Sequence, residues 1–122
     1  MNFLLVDDSP VIRKMVKIAL KQVFKGQIFE ASDGLEALNL MTLHPIDLIV
    51  CDVNMPNMDG MDLLAKLKET EDFSQIPVIM LSTEQGKEDI QEALTLGASD
   101  YLKKPLRPEQ LIKAIYEVLK SH

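Results

Sequence analysis

The chain has 122 residues and a mass of 13.7 kDa; 47% of it is hydrophobic and 26% charged, and 19 acidic against 13 basic residues leave a net charge of −6. These values exclude a disordered or collagen-like chain and allow one domain, large enough to bury about two-thirds of its unfolded surface without metal or disulfide staples. The charge is segregated: Arg13, Lys14, Lys17, Lys21 and Lys25 fall in a stretch free of acids, whereas residues 30–102 hold 15 acids against Lys66, Lys68 and Lys87.

Short apolar runs alternate with helix-period stretches five times, which predicts a βα series. The first strand is predicted over Phe3-Leu4-Leu5-Val6. Ser9 then caps a helix with Pro10 in its first turn, and Ile12, Met15, Val16, Ala19, Leu20 and Val23 hold one apolar face, so the basic residues are expected on the other side. A weaker strand, Gln27 to Ala31, precedes a second helix opened by the capping-box pattern Asp33-Gly34-Leu35-Glu36. The third strand is predicted over Leu48 to Cys51, and the third helix follows Asp59-Gly60 with Leu63, Leu64 and Leu67 turned inward. A fourth strand over Val78 to Leu81 leads to a helix ending at Gly97. A brief Tyr101-Leu102 strand leads to a helix that opens at Arg107-Pro108 and carries Leu111, Ile112, Ile115, Val118 and Leu119.

Three of the strands are apolar throughout, the pattern of a parallel sheet covered by helices on both faces. Five βα units in so short a chain favour an α/β fold with an open, doubly wound, five-stranded parallel sheet, since a closed (β/α)₈ barrel takes about 250 residues. No apolar run approaches the roughly 18 residues of a membrane span. Cys51 is the only cysteine, so an intramolecular disulfide is excluded, and His44 and His122 are too few for a Cys/His zinc cluster. With no charged leader after Met1, the expectation is a cytoplasmic protein that binds neither membrane nor nucleic acid. Cys51 reads as a buried small hydrophobe, His44 before Pro45 as a helix C-cap, and Met55, Met58 and Met61 as local packing.

Ligands of such sheets sit beyond the carboxyl ends of the strands. Asp7 and Asp8 follow the first strand, Asp52 the third, Ser82 and Thr83 the fourth, and Lys103, Lys104 and Pro105 the fifth. If the first and third strands are neighbours, the three aspartates crowd together, and two like charges about 4 Å apart repel by roughly 4 kcal/mol at an effective dielectric near 20. Oxygen-only donors suit a hard divalent cation such as Mg²⁺. A hydroxyl at Ser82 and an ammonium at Lys104 on the same edge complete the groups that stabilise a transferring phosphoryl, and an aspartate is an established type of covalent acceptor. Separately, each of these residues reads as a solvated loop acid, a turn serine or a surface lysine.

Together, Asp7-Asp8, the segment Cys51-Asp52-Val53-Asn54-Met55-Pro56-Asn57-Met58-Asp59-Gly60, Ser82, Gly97-Ala98-Ser99-Asp100-Tyr101 and Lys104-Pro105 resemble the response-regulator receiver domains of two-component signalling, above all the single-domain chemotaxis regulators. The resemblance spans essentially the whole chain. It implies a flavodoxin-like (βα)₅ fold with strand order 2-1-3-4-5, a single receiver domain over 1–122 with no output domain, and Asp52 as acceptor of a phosphoryl group from a histidine kinase or phosphotransfer protein. It further implies Mg²⁺ ligated by Asp8, Asp52 and the Asn54 backbone carbonyl, with Asp7 acting through water. Ser82 and Lys104 would each meet a phosphoryl oxygen, and the Lys104-Pro105 peptide would be cis. Tyr101 takes the position that turns inward with the hydroxyl residue, while Asn54 and Glu84 take those that tune dephosphorylation and match the chemotaxis pair. Ser82 stands where threonine is commoner.

The implied product is a non-enzymatic signalling protein, a monomer that passes its message by contact through the fourth helix, fifth strand and fifth helix, including Lys87, Tyr101, Lys103 and Arg107. The basic side of the first helix is a candidate dock for the phosphodonor, with a solvated charged face as the alternative. Three competing functions differ in their requirements. A Mg²⁺-dependent phosphatase with an aspartyl nucleophile needs an acid two residues on, where this chain has Asn54; a flavin carrier would place its phosphate against crowded carboxylates; a pseudo-receiver would bind partners without phosphorylation.

Overall fold

The computed structural model describes residues 1–83 and 87–121. The elements alternate as predicted: β1 (Phe3–Val6), α1 (Pro10–Val23), β2 (Ile28–Ala31), α2 (Gly34–Leu43), β3 (Leu48–Asp52), α3 (Gly60–Glu69), β4 (Val78–Ser82), α4 (Lys87–Leu96), β5 (Asp100–Lys103) and α5 (Pro108–Lys120). All four strand pairings are parallel and the order is β2-β1-β3-β4-β5.

The uniformly apolar strands have a simple cause. Successive side chains point to opposite faces, and both faces are covered. Leu4, Val6, Ile49, Cys51, Val78 and Met80 pack with Ala37, Met41, Leu63, Leu64 and Leu67 of α2 and α3. Phe3, Leu5, Leu48, Val50, Ile79 and Leu81 pack with Val16, Leu20, Leu111, Ala114 and Ile115 of α1 and α5. The half-buried pattern of β2 reflects its place at the sheet edge.

The helix signals act as read. Ser9 Oγ accepts from the Ile12 amide and Asp33 from the Glu36 amide, while Gly97 ends α4 at φ 110°. The Glu36 carboxylate takes the Ser32 hydroxyl at 2.9 Å. His44 caps α2 and stacks on Phe29, and Cys51 is buried. Two expectations for α1 change. Val23, placed on the inner face by its spacing, is 43% exposed because the helix ends there. Arg13, placed on the outer basic side, turns in, and both Arg13 and Lys17 pair with Glu30 of β2 at 3.2 and 3.3 Å. No helix among the described residues is long and apolar enough to cross a membrane.

Candidate functional site

β3 and β4 each run one residue further than the apolar pattern suggests, so Asp52 and Ser82 are the last residues of their strands. The parallel register places Val6 beside Cys51, Asp52 beside Leu81, and Ser82 beside Lys103. The residues that follow these strands therefore meet at one edge, at the reversal of strand order between β1 and β3. Asp7, Asp52 and Ser82 are the buried polar residues of the described chain, and they all lie here; Asp8 is exposed beside them.

Carboxylate oxygens of Asp7, Asp8 and Asp52 lie within 4.8 Å of one another. Lys104 reaches in from the end of β5 and donates to Asp7 Oδ2 at 3.0 Å, with Asp52 Oδ1 at 3.2 Å. The other Asp7 oxygen accepts the Ser9 amide at 2.9 Å, and the Asn54 amide reaches Asp52 Oδ1 at 3.4 Å. The Lys104-Pro105 peptide is cis.

Burial, and after it the charge of Asp7, pushes the Asp52 carboxyl above the usual aspartate value, against the pull of Lys104. Burial alone would lower the Lys104 ammonium; its hydrogen bond to Asp7 and the charges of Asp52 and Asp7 outweigh this and hold it above its ordinary value. Three carboxylates and one ammonium leave two negative charges in excess, the charge of one divalent cation. The donor set is all oxygen, with Asp8 open to solvent where a cation would enter and keep waters, so these residues fit Mg²⁺.

The loop after β3 is pinned from two sides. Gly60 opens α3 against the strand end: its amide donates to the Val53 carbonyl at 2.8 Å, and a Cβ there would stand 2.1 Å from the Asp52 carbonyl oxygen, so only glycine fits. Asn57, at φ 67°, donates from Nδ2 to Asp33 Oδ2 at 2.7 Å, and the Gly34 amide meets the Met58 carbonyl at 3.0 Å. Asp33, which reads in sequence as an ordinary cap, therefore also ties the loop after β2 to the loop that carries Asn54.

Tyr101 packs half-buried against the cluster under α2 and α3, with its Oη buried and without a hydrogen-bond partner among the described residues. Met55, Met58 and Met61 pack against the same cluster. Glu84 and the side chain of Lys87 lie outside the described residues. Sequence reasoning missed Arg13, whose guanidinium reaches the Asp7 backbone carbonyl. A signal was present: Arg13 lies one helical turn beyond Ser9, on the side of the helix that returns toward the strand end.

A family model described as the response regulator receiver domain matches residues 3–116. The chain is 34% identical over 120 residues to the "Chemotaxis protein CheY homolog" of Campylobacter jejuni subsp. jejuni, covering 98% of this chain and 92% of that protein. Among solved structures, the chemotaxis response regulator CheY4 of Vibrio cholerae superposes with a TM-score of 0.88 at 37% identity, covering 96% of this chain and 97% of that one. The Mn²⁺-bound form of response regulator Rcp1 superposes with a TM-score of 0.81 at 29% identity, covering 96% and 90%.

Proposed function

The chain belongs to the response regulator receiver domain family, and from that premise we propose that it is a single-domain response regulator in which Asp52 accepts a phosphoryl group and thereby changes a protein-binding surface, in chemotaxis or a related phosphorelay. Receiver domains are signalling proteins that bind Mg²⁺ at an acidic pocket, take phosphoryl groups from histidine kinases or phosphotransfer proteins and act on downstream targets. The observation that carries the reading is the convergence of Asp7, Asp8 and Asp52 on Lys104 at one strand edge, with Ser82 closing the neighbouring strand.

In the proposed reaction an Asp52 oxygen attacks the phosphorus of a phosphohistidine. A P–O bond forms, the P–N bond breaks, and the leaving imidazole nitrogen keeps the electron pair and takes up a proton. Asp8, Asp52 and the Asn54 carbonyl would hold Mg²⁺, with Asp7 acting through water; the ion supplies charge neutralisation at the phosphoryl oxygens. Rcp1, a relative of similar fold, is known with Mn²⁺ bound. Lys104, already paired with Asp52 at 3.2 Å, would move its charge to a phosphoryl oxygen, and the Ser82 hydroxyl would meet another. Asn54 and Glu84 would set the rate of hydrolysis. Acetyl phosphate with Mg²⁺ is expected to add the mass of one phosphoryl group to the intact protein. An unchanged mass, under conditions where another receiver is labelled, would leave a binding module that phosphorylation does not control.

The output surface would be the face of α4, β5 and α5. A cleft of about 600 Å³ there is lined by Tyr101, Lys103, Lys104, Pro105, Gln110 and Lys113. Lys104 thus borders both this cleft and the acidic site, a direct route from phosphoryl chemistry to the surface that a downstream protein would read. Ser82 and Tyr101 would form the switch. The chain contains no tryptophan, so Tyr101→Trp introduces one reporter. Its emission is expected to shift when acetyl phosphate and Mg²⁺ are added, and a fixed emission despite the mass gain would remove Tyr101 from the switch.

A further inference from the structure

Arg13 occupies the second turn of α1, and its side chain is 18% exposed although its neighbours Lys14, Lys17 and Lys21 face solvent or the helix flank. It is a fork. Nε meets Glu30 Oε1 at 3.2 Å, and Nη1 donates to the backbone carbonyl of Asp7 at 2.5 Å. Lys17 holds the second Glu30 oxygen at 3.3 Å, so the carboxylate that steers the guanidinium is itself fixed between two cations. Glu30 sits opposite Leu5 in the β1–β2 register, two residues short of the acidic turn.

The Asp7 carbonyl belongs to the peptide that joins Asp7 to Asp8. Every other polar atom of Asp7 has a partner: the amide donates to the Ala31 carbonyl at 3.0 Å, Oδ1 accepts the Ser9 amide and Oδ2 accepts Lys104. Asp8 is different. It is exposed, so packing does not hold it, and the peptide before it sets the backbone from which its side chain springs. A charge-assisted bond from a planar, anchored guanidinium fixes the plane of that peptide. Glu30 anchors Nε, so the guanidinium reaches the carbonyl as a group already held on its other side.

We propose that Arg13 is a positioning residue for the cation site: anchored by Glu30, it holds the Asp7–Asp8 peptide so that the Asp8 carboxylate is preset for the divalent ion. This rests on the Mg²⁺ reading above, but it concerns residues on the opposite side of the acidic turn from the chemistry. Groups that orient a metal ligand from behind typically change metal affinity by about 10- to 100-fold when removed.

The test is calorimetric titration of the metal-free full chain with Mg²⁺. Arg13→Met is expected to weaken Mg²⁺ binding about tenfold, and Arg13→Lys to restore part of that loss, since lysine keeps a charged donor for the carbonyl but cannot span to Glu30. Glu30→Gln, which leaves every group of the acidic site in place, is expected to weaken binding by a smaller factor. In acetyl phosphate reactions the Arg13→Met defect is expected in the Mg²⁺ concentration for half-maximal rate, with the rate at saturating Mg²⁺ close to wild type. A merely structural arginine would lower the melting temperature and leave the Mg²⁺ constant unchanged; that result would overturn the proposal. Should Arg13→Met fail to fold, unchanged affinity in both Arg13→Lys and Glu30→Gln would overturn it equally. Absence of Mg²⁺ binding in the wild type would instead remove the cation site itself, and it is seen before any substitution is made.

Discussion

Replacing Asp52 by asparagine is expected to abolish phosphoryl uptake while making the metal-free protein more stable. The first effect follows because an amide oxygen cannot form the acyl phosphate. The second follows from the cost of holding this carboxylate ionised. Asp52 is 5% exposed, and oxygens of Asp7 and Asp8 lie within 4.8 Å. One such neighbour repels it by about 3 kcal/mol at an effective dielectric near 20, and the single ammonium of Lys104 is shared with Asp7. Burial and Asp7 raise the Asp52 carboxyl above its unfolded value, so the folded state binds the proton more tightly. The sign is then fixed: this group favours folding below its unfolded value, and that contribution is lost as pH rises through the raised one.

At neutral pH the charge is a net burden, and Asp52→Asn lifts it while its side-chain oxygen still accepts from the Asn54 amide and Lys104. A gain of about 1–2 kcal/mol, several degrees in melting temperature, is expected in EDTA. The gain should shrink on acidification as wild-type Asp52 takes up its proton. Mg²⁺ should narrow the gap from the other side, because ligand at about 100 times its Kd stabilises the wild type by roughly 2.7 kcal/mol. A variant that melts at or below the wild-type temperature in EDTA would contradict this account of the site.

Lys104→Met is expected to do the reverse. It keeps most of the buried stem and removes the charge that two buried carboxylates share. Breaking a buried pair by deleting one partner typically destabilises by about 3–5 kcal/mol; because the Lys104 side chain is 16% exposed and water can partly replace it, about 2–4 kcal/mol is expected here, read by urea unfolding in EDTA. Mg²⁺ should recover part of the loss, since a divalent cation can neutralise the same carboxylates. The phosphorylation rate at saturating Mg²⁺ should fall by about 100-fold, the scale on which one preorganised electrostatic contact to a transferring group acts. Joining the two changes gives a sharper check. Asp52→Asn/Lys104→Met should be more stable than the sum of the two single effects, because the lysine's absence matters least when one of its carboxylates is already neutral. Strictly additive effects would mean that Lys104 does not stabilise the fold through its pair with Asp52.

Most of the architecture was legible in the chain because short-range rules set it. Ser9, Asp33 and Gly97 mark helix ends through their own side chains or backbone freedom, and the apolar runs of β1, β3 and β4 announce a sheet buried on both faces. The candidate site was legible for a related reason: in a parallel sheet every strand end lies on one side, so polar residues after successive strands must share an edge. Charged side chains are harder to place. Arg13 belongs by sequence to a run of basic residues on one helix, and a helical wheel puts it with the others. Glu30, 17 positions away, turns it inward. Asp33 likewise satisfies a local rule as a cap and then gains Asn57 across 24 residues.

The chain alone determined the order of strands and helices, the two-sided burial of the sheet and the set of polar residues at its carboxyl edge, because periodicity, capping and the direction of a parallel strand act within a few residues. Only the tertiary structure decided which of those charges meet. Asp7 and Asp52 become neighbours because β1 pairs with β3 in register, Lys104 reaches both because β5 ends beside β4, and Arg13 grips the acidic turn because β2 lies at the edge next to β1. A pairwise electrostatic contact depends on separations of a few ångströms between residues up to 97 positions apart, a distance that composition and spacing do not encode.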